Sequence, residues 1–263
     1  MSHHVLLIGG HGKVAQLLTP LLLKRSWTVT SVIRSQEQVA TIEKLGAGQP
    51  GKLNVLVRSI EDVSSKDHAT GILNEVKPDY IAFSAGAGGK GGPERTFKID
   101  RDAAVHFIQA AASIPSITRF LLVSYTGSRR NAAPWWPAGE WEKYVDKVNN
   151  GVLANYYKAK IVADEELYKT SRASSGNLVG IGLRPATLTT EPAGKVALGK
   201  TPNVFGNVSR ETVAKTADAL LAAEGVKNSW IDLYDGDEDL EQAVQRVVAE
   251  GVDAAEGEPV YSS

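Results

Sequence analysis

Two short runs in this 263-residue chain, YIAFS at 80–84 and FLLVS at 120–124, are apolar at nearly every position. A strand with one face in water alternates apolar and polar residues, whereas a strand apolar throughout has both faces covered. Helices are the natural cover, and the intervals supply them. Strand patterns at Val5–Ile8, Thr28–Arg34, Asn54–Val57, Tyr80–Ser84, Arg119–Ser124, Leu178–Arg184 and Ser229–Tyr234 alternate with helical spacing. The helical patterns fall near Lys13–Arg25, Gln36–Leu45, Lys66–Val76, Glu94–Ser113, Tyr156–Arg172, Glu211–Ala223 and Asp239–Ala249. This alternation predicts an α/β fold with a single doubly wound parallel sheet.

No Pro/Gly/Ser-rich linker divides the chain, so residues 1–263 are expected to form one domain. Residues 185–209 and 235–263 would serve as a substrate-side loop and a small C-terminal extension. The segments Tyr125–Leu153 and Pro185–Ser209 lack clear periodicity, as functional loops often do, and the tail from Gly251 to Ser263 reads as loose. The chain has no cysteine, which excludes disulfides and thiolate chemistry. A formal net charge of −1, with no basic run longer than a pair, argues against nucleic-acid or anionic-membrane partners. The apolar run Val5–Ile8 is too short for a signal peptide or a span, so the expectation is a cytoplasmic protein without a membrane partner. The five histidines show no metal-ligand spacing, and His3 and His4 read as a frayed terminus. No metal site is expected.

The first strand stops at a glycine-rich turn, IGGHGKVA. Gly9-x-x-Gly12-x-x-Ala15 and Gly10-x-Gly12-x-x-Ala15 both fit the needs of a pyrophosphate site. Glycines let the main chain approach the anion, and the following helix points its free N–H groups and positive dipole end at it. Gly9, Gly10, His11, Gly12, Lys13 and Val14 are the candidate cradle, in the context of a Rossmann-type strand–turn–helix unit. NAD-binding folds of this kind place an acid after the second strand to hold the adenine-side ribose. Here Arg34 and Ser35 stand there instead, and a guanidinium suits a 2′-phosphate. The expected cofactor is therefore NADP(H).

By the switch-point rule the loop after the fourth strand, Ser84-Ala85-Gly86-Ala87, also faces the cofactor. The fifth strand ends at Ser124. Farther on, NYYKAKIVADEEL begins a helix in which Tyr156 and Lys160 share a face. An ammonium beside a phenol lowers its pKa, and such a tyrosine can exchange a proton with a carbonyl or carbinol oxygen while a hydride moves. Ser124 could hydrogen-bond the same oxygen.

Together these features resemble the short-chain dehydrogenase/reductase superfamily, and more narrowly its atypical, NmrA-like NAD(P)-binding branch with fungal members. The resemblance spans Val5 to about Ala223. It is carried by IGGHGKVA, VIR, FSAGAGG, LLVSYTGS, YYKAK followed by ADEEL, and LRPATLT. It implies that Ser124, Tyr156 and Lys160 match the superfamily's serine, tyrosine and lysine, with Lys160 also touching the nicotinamide ribose. It further implies that Arg184 and the following Pro185, Ala186 and Thr187 cover the nicotinamide end. The expected activity is NADP(H)-dependent hydride transfer to or from a small carbonyl or alcohol. A redox sensor without turnover, and an isomerase or dehydratase on the same fold, stay open. Trp135, Trp136 and Trp141 read either as an aromatic lid or as a loop packing its own rings against the body.

Overall fold

The computed structural model describes residues 2–89, 91–174 and 177–262. Its strands are β1 (His4–Ile8), β2 (Thr28–Ile33), β3 (Lys52–Val57), β4 (Tyr80–Phe83), β5 (Arg119–Val123), β6 (Val179–Pro185), β7 (Thr187–Thr189), β8 (Val196–Gly199), β9 (Asn207–Ser209) and β10 (Ser229–Asp235). Its helices are α1 (Lys13–Lys24), α2 (Val39–Glu43), α3 (Lys66–Val76), α4 (Gly92–Thr96), α5 (Ala104–Ala112), α6 (Glu140–Tyr144), α7 (Ala154–Ala173), α8 (Arg210–Ala222) and α9 (Leu240–Glu250).

Eight strands form one sheet in the order β3-β2-β1-β4-β5-β6-β10-β8. Every pairing from β3 to β10 is parallel, and only the edge pair β10–β8 is antiparallel. Val5 of β1 lies opposite Val29 of β2 on one side and Tyr80 of β4 on the other. The chain winds outward from β1 to β3, then re-enters beyond β1 with β4. A crevice therefore opens at the C-terminal ends of β1 and β4, where the strand order reverses.

The period-2 geometry of β1 explains why an unbroken apolar strand was needed. Val5 and Leu7 enter the core that includes Leu18, Leu22 and Leu220 of α1 and α8. Leu6 and Ile8 enter the opposite core with Phe107 of α5 and Phe83. These four apolar side chains of β1 are fully buried, each contributing roughly 1.5–3 kcal/mol of transfer free energy.

The helix expected near Glu94–Ser113 is continuous but interrupted: a π-helical stretch, Phe97–Ala103, joins α4 to α5. Such a widened turn commonly re-aims a side chain at a functional site, and here it carries Asp100. A second π-helical stretch, Val145–Val152, follows α6 inside the segment that lacked periodicity. The segment Pro185–Ser209 contains β7, β8 and β9, with β7 and β9 paired as a separate small parallel sheet. Strands of three or four residues are too short to leave a readable period.

Two sequence expectations are corrected. The tail is tied down through Ser262 (Ser263 lies outside the described residues): Ala254, Ala255 and Val260 are buried, and the Arg129 guanidinium donates to Glu256 O at 3.0 Å. The amino terminus is not frayed at His3 and His4 either. His3 pairs with Asp79 at 2.5 Å, and the His4 ring meets the Thr30 hydroxyl at 2.8 Å.

Candidate functional site: a cleft leading to two hydroxyls

Gly9 begins the turn after β1 with φ +85°, and a Cβ there would lie 2.6 Å from the Ala85 Cα. The β1–α1 and β4–α4 loops thus touch backbone to backbone, a contact only glycine permits. Gly12 is the N-cap of α1, with no side chain to cap the helix and no acid in its first turn. The first helical N–H groups and the positive dipole end consequently face the cleft lined by Gly12, Lys13, Val14, Ser84, Ala85 and Gly86. Free N–H groups at a positive helix end are the kind of donors that an anionic group can use. Gly10 is different: its N–H is donated to Val32 O at 2.9 Å, and a Cβ would overlap the Ser31 hydroxyl at 1.8 Å. It packs the turn onto β2 and offers no donor to a ligand, contrary to its expected binding role. Gly9→Ala should destabilise the fold by about 1–3 kcal/mol through left-handed strain and the Ala85 clash. A urea midpoint unchanged from wild type would refute this.

Toward β2 the cleft continues as a cavity of about 230 Å³ lined by His11, Arg34, Gln38, Arg58 and Glu61, among others. Arg34 is exposed, and among the described residues its guanidinium has no side-chain partner. Arg58 pairs with Glu75 at 3.1 Å, but both groups are about half exposed, so the pair holds Arg58 only weakly. The one carboxylate in the cavity wall, Glu61, is neutralised by Arg95 at 2.9 Å. This end of the cleft is therefore cationic. Ser35 does not line it; Gln38, one turn on, does. Arg58 escaped the sequence reading, although it follows β3 at the same edge of the sheet.

At the other end, Ser124 follows β5 and Tyr156 sits in the first turn of α7. Among the described residues the Tyr156 hydroxyl makes no hydrogen bond. Burial drives its pKa well above 10, and the Asp100 and Asp164 charges push the same way. The expected lowering by Lys160 does not occur. Lys160 is fully buried, and its ammonium donates to Val123 O at 2.9 Å, so it lies beneath the cleft rather than in its wall. A shared helix face brings two residues near each other; where a four-carbon side chain ends is decided by the acceptors around it.

Two buried acids complete the site, and the sequence reading missed both. Asp164 extends the Tyr156–Lys160 column by one further turn. It accepts the Ser124 hydroxyl at 2.5 Å. Asp100 accepts the Ala87 N–H at 2.9 Å through one carboxyl oxygen, and the other, buried and unpartnered, belongs to a side chain that lines the cleft. Burial raises the pKa of each acid, opposed chiefly by Lys160. The four-residue repeat alone would have flagged Asp164. Asp100 depends on the π-helical turn, which left no mark in the sequence.

Pro185, Ala186 and Thr187 line a second cavity beyond Tyr156, whereas Arg184 is wholly buried. Trp136 and Trp141 are packed into the body with rings 5.5 Å apart, and Trp136 donates to Thr201 O at 3.0 Å. They back the second cavity; they are not a lid. Among the described residues there is no group of three or more metal-ligating side chains, and no helix long and apolar enough to cross a membrane.

The family model described as NAD(P)H-binding matches residues 9–224, from the glycine turn to just past α8. The chain belongs to this NAD(P)H-binding family. It is 34% identical over 247 residues to a UPF0659 protein of Schizosaccharomyces pombe, covering 92% of this chain and 94% of that one. It is 32% identical to an uncharacterized sugar epimerase, YhfK, of Bacillus subtilis, covering 92% and 99%. Among solved structures it resembles the oxidoreductase ylbE of Lactococcus lactis, with a TM-score of 0.70 and 23% identity over 94% of this chain and 97% of that one. The matched residues include the glycine turn, the uncapped α1 terminus and the β4–α4 loop.

Proposed function

We propose that the chain is an NADP(H)-dependent oxidoreductase acting on a small carbonyl or alcohol compound, an atypical, NmrA-like member of the short-chain dehydrogenase/reductase superfamily. The observation that carries this reading is the position of two hydroxyls. Ser124 and Tyr156 line both the nucleotide cleft and the second cavity, so they stand where the two spaces meet. The α1 turn and the Ser84–Ala87 loop would hold the pyrophosphate, with Arg34 and Arg58 at the 2′-phosphate. When bound, NADPH supplies a hydride from its nicotinamide. Tyr156, protonated throughout the neutral range, gives a proton to the substrate oxygen; Ser124, whose own proton goes to Asp164, would accept a hydrogen bond from the carbinol hydroxyl so formed.

The buried placement of Lys160 supports a second reading, a redox sensor that binds the cofactor without turnover. Calorimetric titration with NADPH, NADP⁺ and NADH tests the cofactor assignment. Arg34→Ala should weaken NADPH binding about tenfold or more, the loss of a charge-assisted phosphate contact, and leave NADH binding unchanged. Equal losses for both would remove Arg34 from the 2′-phosphate. A large affinity gap between NADPH and NADP⁺ without turnover would favour the sensor.

A further inference from the structure

The second cavity has a volume of about 390 Å³, and none of its lining residues carries a formal charge. Its polar groups are mostly spent within the protein. Tyr125 donates its hydroxyl to Asn149 at 2.9 Å. The main-chain N–H groups of Thr126, Ala186 and Thr187 go to Pro185 O, Leu233 O and Gly206 O at 3.1, 2.9 and 3.1 Å. Thr126, Tyr144 and Thr187 add hydroxyl side chains along the wall, and the free hydroxyl of Tyr156 stands at the end beside Ser124.

The walls are rings. Tyr125 lies 5.0 Å from Tyr156, and Tyr144 lies 5.1 Å from Phe205, centroid to centroid. The rim is apolar too: Val152 is 86% exposed and Phe205 43% exposed, two of the few large hydrophobic side chains left in water among the described residues, and both line this cavity. Apolar side chains cost free energy when solvated, and a cluster of them at a cavity mouth marks a ligand entrance.

A phosphate or pyrophosphate group needs cations or free N–H groups, and a sugar ring needs a partner for each hydroxyl that it buries. This cavity offers no cation, and its walls are mainly rings and aliphatic side chains. We propose that it binds a neutral, planar aryl ketone, with the rings of Tyr125, Tyr144 and Phe205 against its faces and its carbonyl oxygen at the Tyr156 hydroxyl, and that it excludes phosphorylated and nucleotide-linked sugars. The placement of the carbonyl rests on the proposed role of Tyr156; the choice of ligand class rests on the cavity itself.

The test is calorimetric titration of the full chain with 2-acetonaphthone, UDP-glucose and glucose 6-phosphate, with and without NADPH. The expected result is binding of 2-acetonaphthone and of neither sugar compound. Phe205→Asp, in the wall of the second cavity alone, should weaken the ketone about tenfold or more and leave NADPH affinity unchanged; Val152→Asp, at the border with the nucleotide cleft, should independently weaken the ketone to a similar extent. Both positions are solvent-exposed, so at least one variant should fold. Tighter binding of UDP-glucose than of the ketone, no ketone binding, or ketone binding indifferent to both folded variants would overturn the proposal. Ketone binding that follows these substitutions without any NADPH binding would uphold the pocket and defeat the cofactor reading. NADPH binding without ketone binding would do the reverse.

Discussion

Tyr156→Phe should lower NADPH-dependent reduction of an aryl ketone by about 10²–10⁴-fold, the usual contribution of a positioned proton donor. NADPH binding should be unchanged, because the substitution removes one hydroxyl from a ring whose packing against Tyr125 it retains. The pH profile adds a second check. Burial and the charges of Asp100 and Asp164 hold the Tyr156 phenol protonated well beyond pH 10. Wild-type reduction should therefore lose no activity to ionisation of this group between pH 6 and about pH 10, the ordinary phenol value. Steady-state rates for the two proteins across that range decide the matter. Turnover undiminished in the variant would remove Tyr156 as the donor, and an alkaline loss near pH 8 absent from the variant would show a phenol ionised far more easily than its surroundings allow.

How much of this site the sequence discloses depends on how local each determinant is. The glycine turn is legible because strand, turn and helix are contiguous and the backbone needs at Gly9 are intrinsic to one residue. Arg34 is legible because the end of β2 can be counted from the hydrophobic pattern. Gly10 shows the limit. Its type and spacing match a phosphate-binding glycine, yet its small size serves contact with Ser31, a neighbour assigned only by the β1–β2 register. Asp100, Lys160 and Arg58 show the same limit for side chains. Each takes its role from elements that meet through the sheet order, and no spacing rule spans that distance. The short strands β7 to β9 were hidden for a different reason, since three or four residues cannot establish a period of two.

Arg184→Leu should cost about 3–5 kcal/mol of folding stability, because it strips a buried cation from the acids that surround it. The guanidinium is wholly buried. It donates to Asp232 at 2.7 Å, to Ser128 O at 2.7 Å and to Thr126 O at 2.9 Å, lies 3.8 Å from Asp164, and stacks 4.2 Å above the Trp230 ring. Those carbonyls belong to the loop that follows Ser124, so the same residue that neutralises the acids also fixes the loop beside the two hydroxyls. Asp164 and Asp232 already have pKa values raised by burial, and Arg184 is among the groups that oppose the rise. Without it both folded-state values climb further. A group whose folded pKa is raised stabilises the fold most when protonated, below its unfolded value, and loses that contribution as the pH passes upward through the folded value. The deficit of the variant should accordingly shrink as the pH falls from 7 toward 5. Urea denaturation of wild type and variant at both pH values measures it. A deficit under 1 kcal/mol at pH 7, or one that grows on acidification, would show that the acids do not depend on Arg184 for their charge balance.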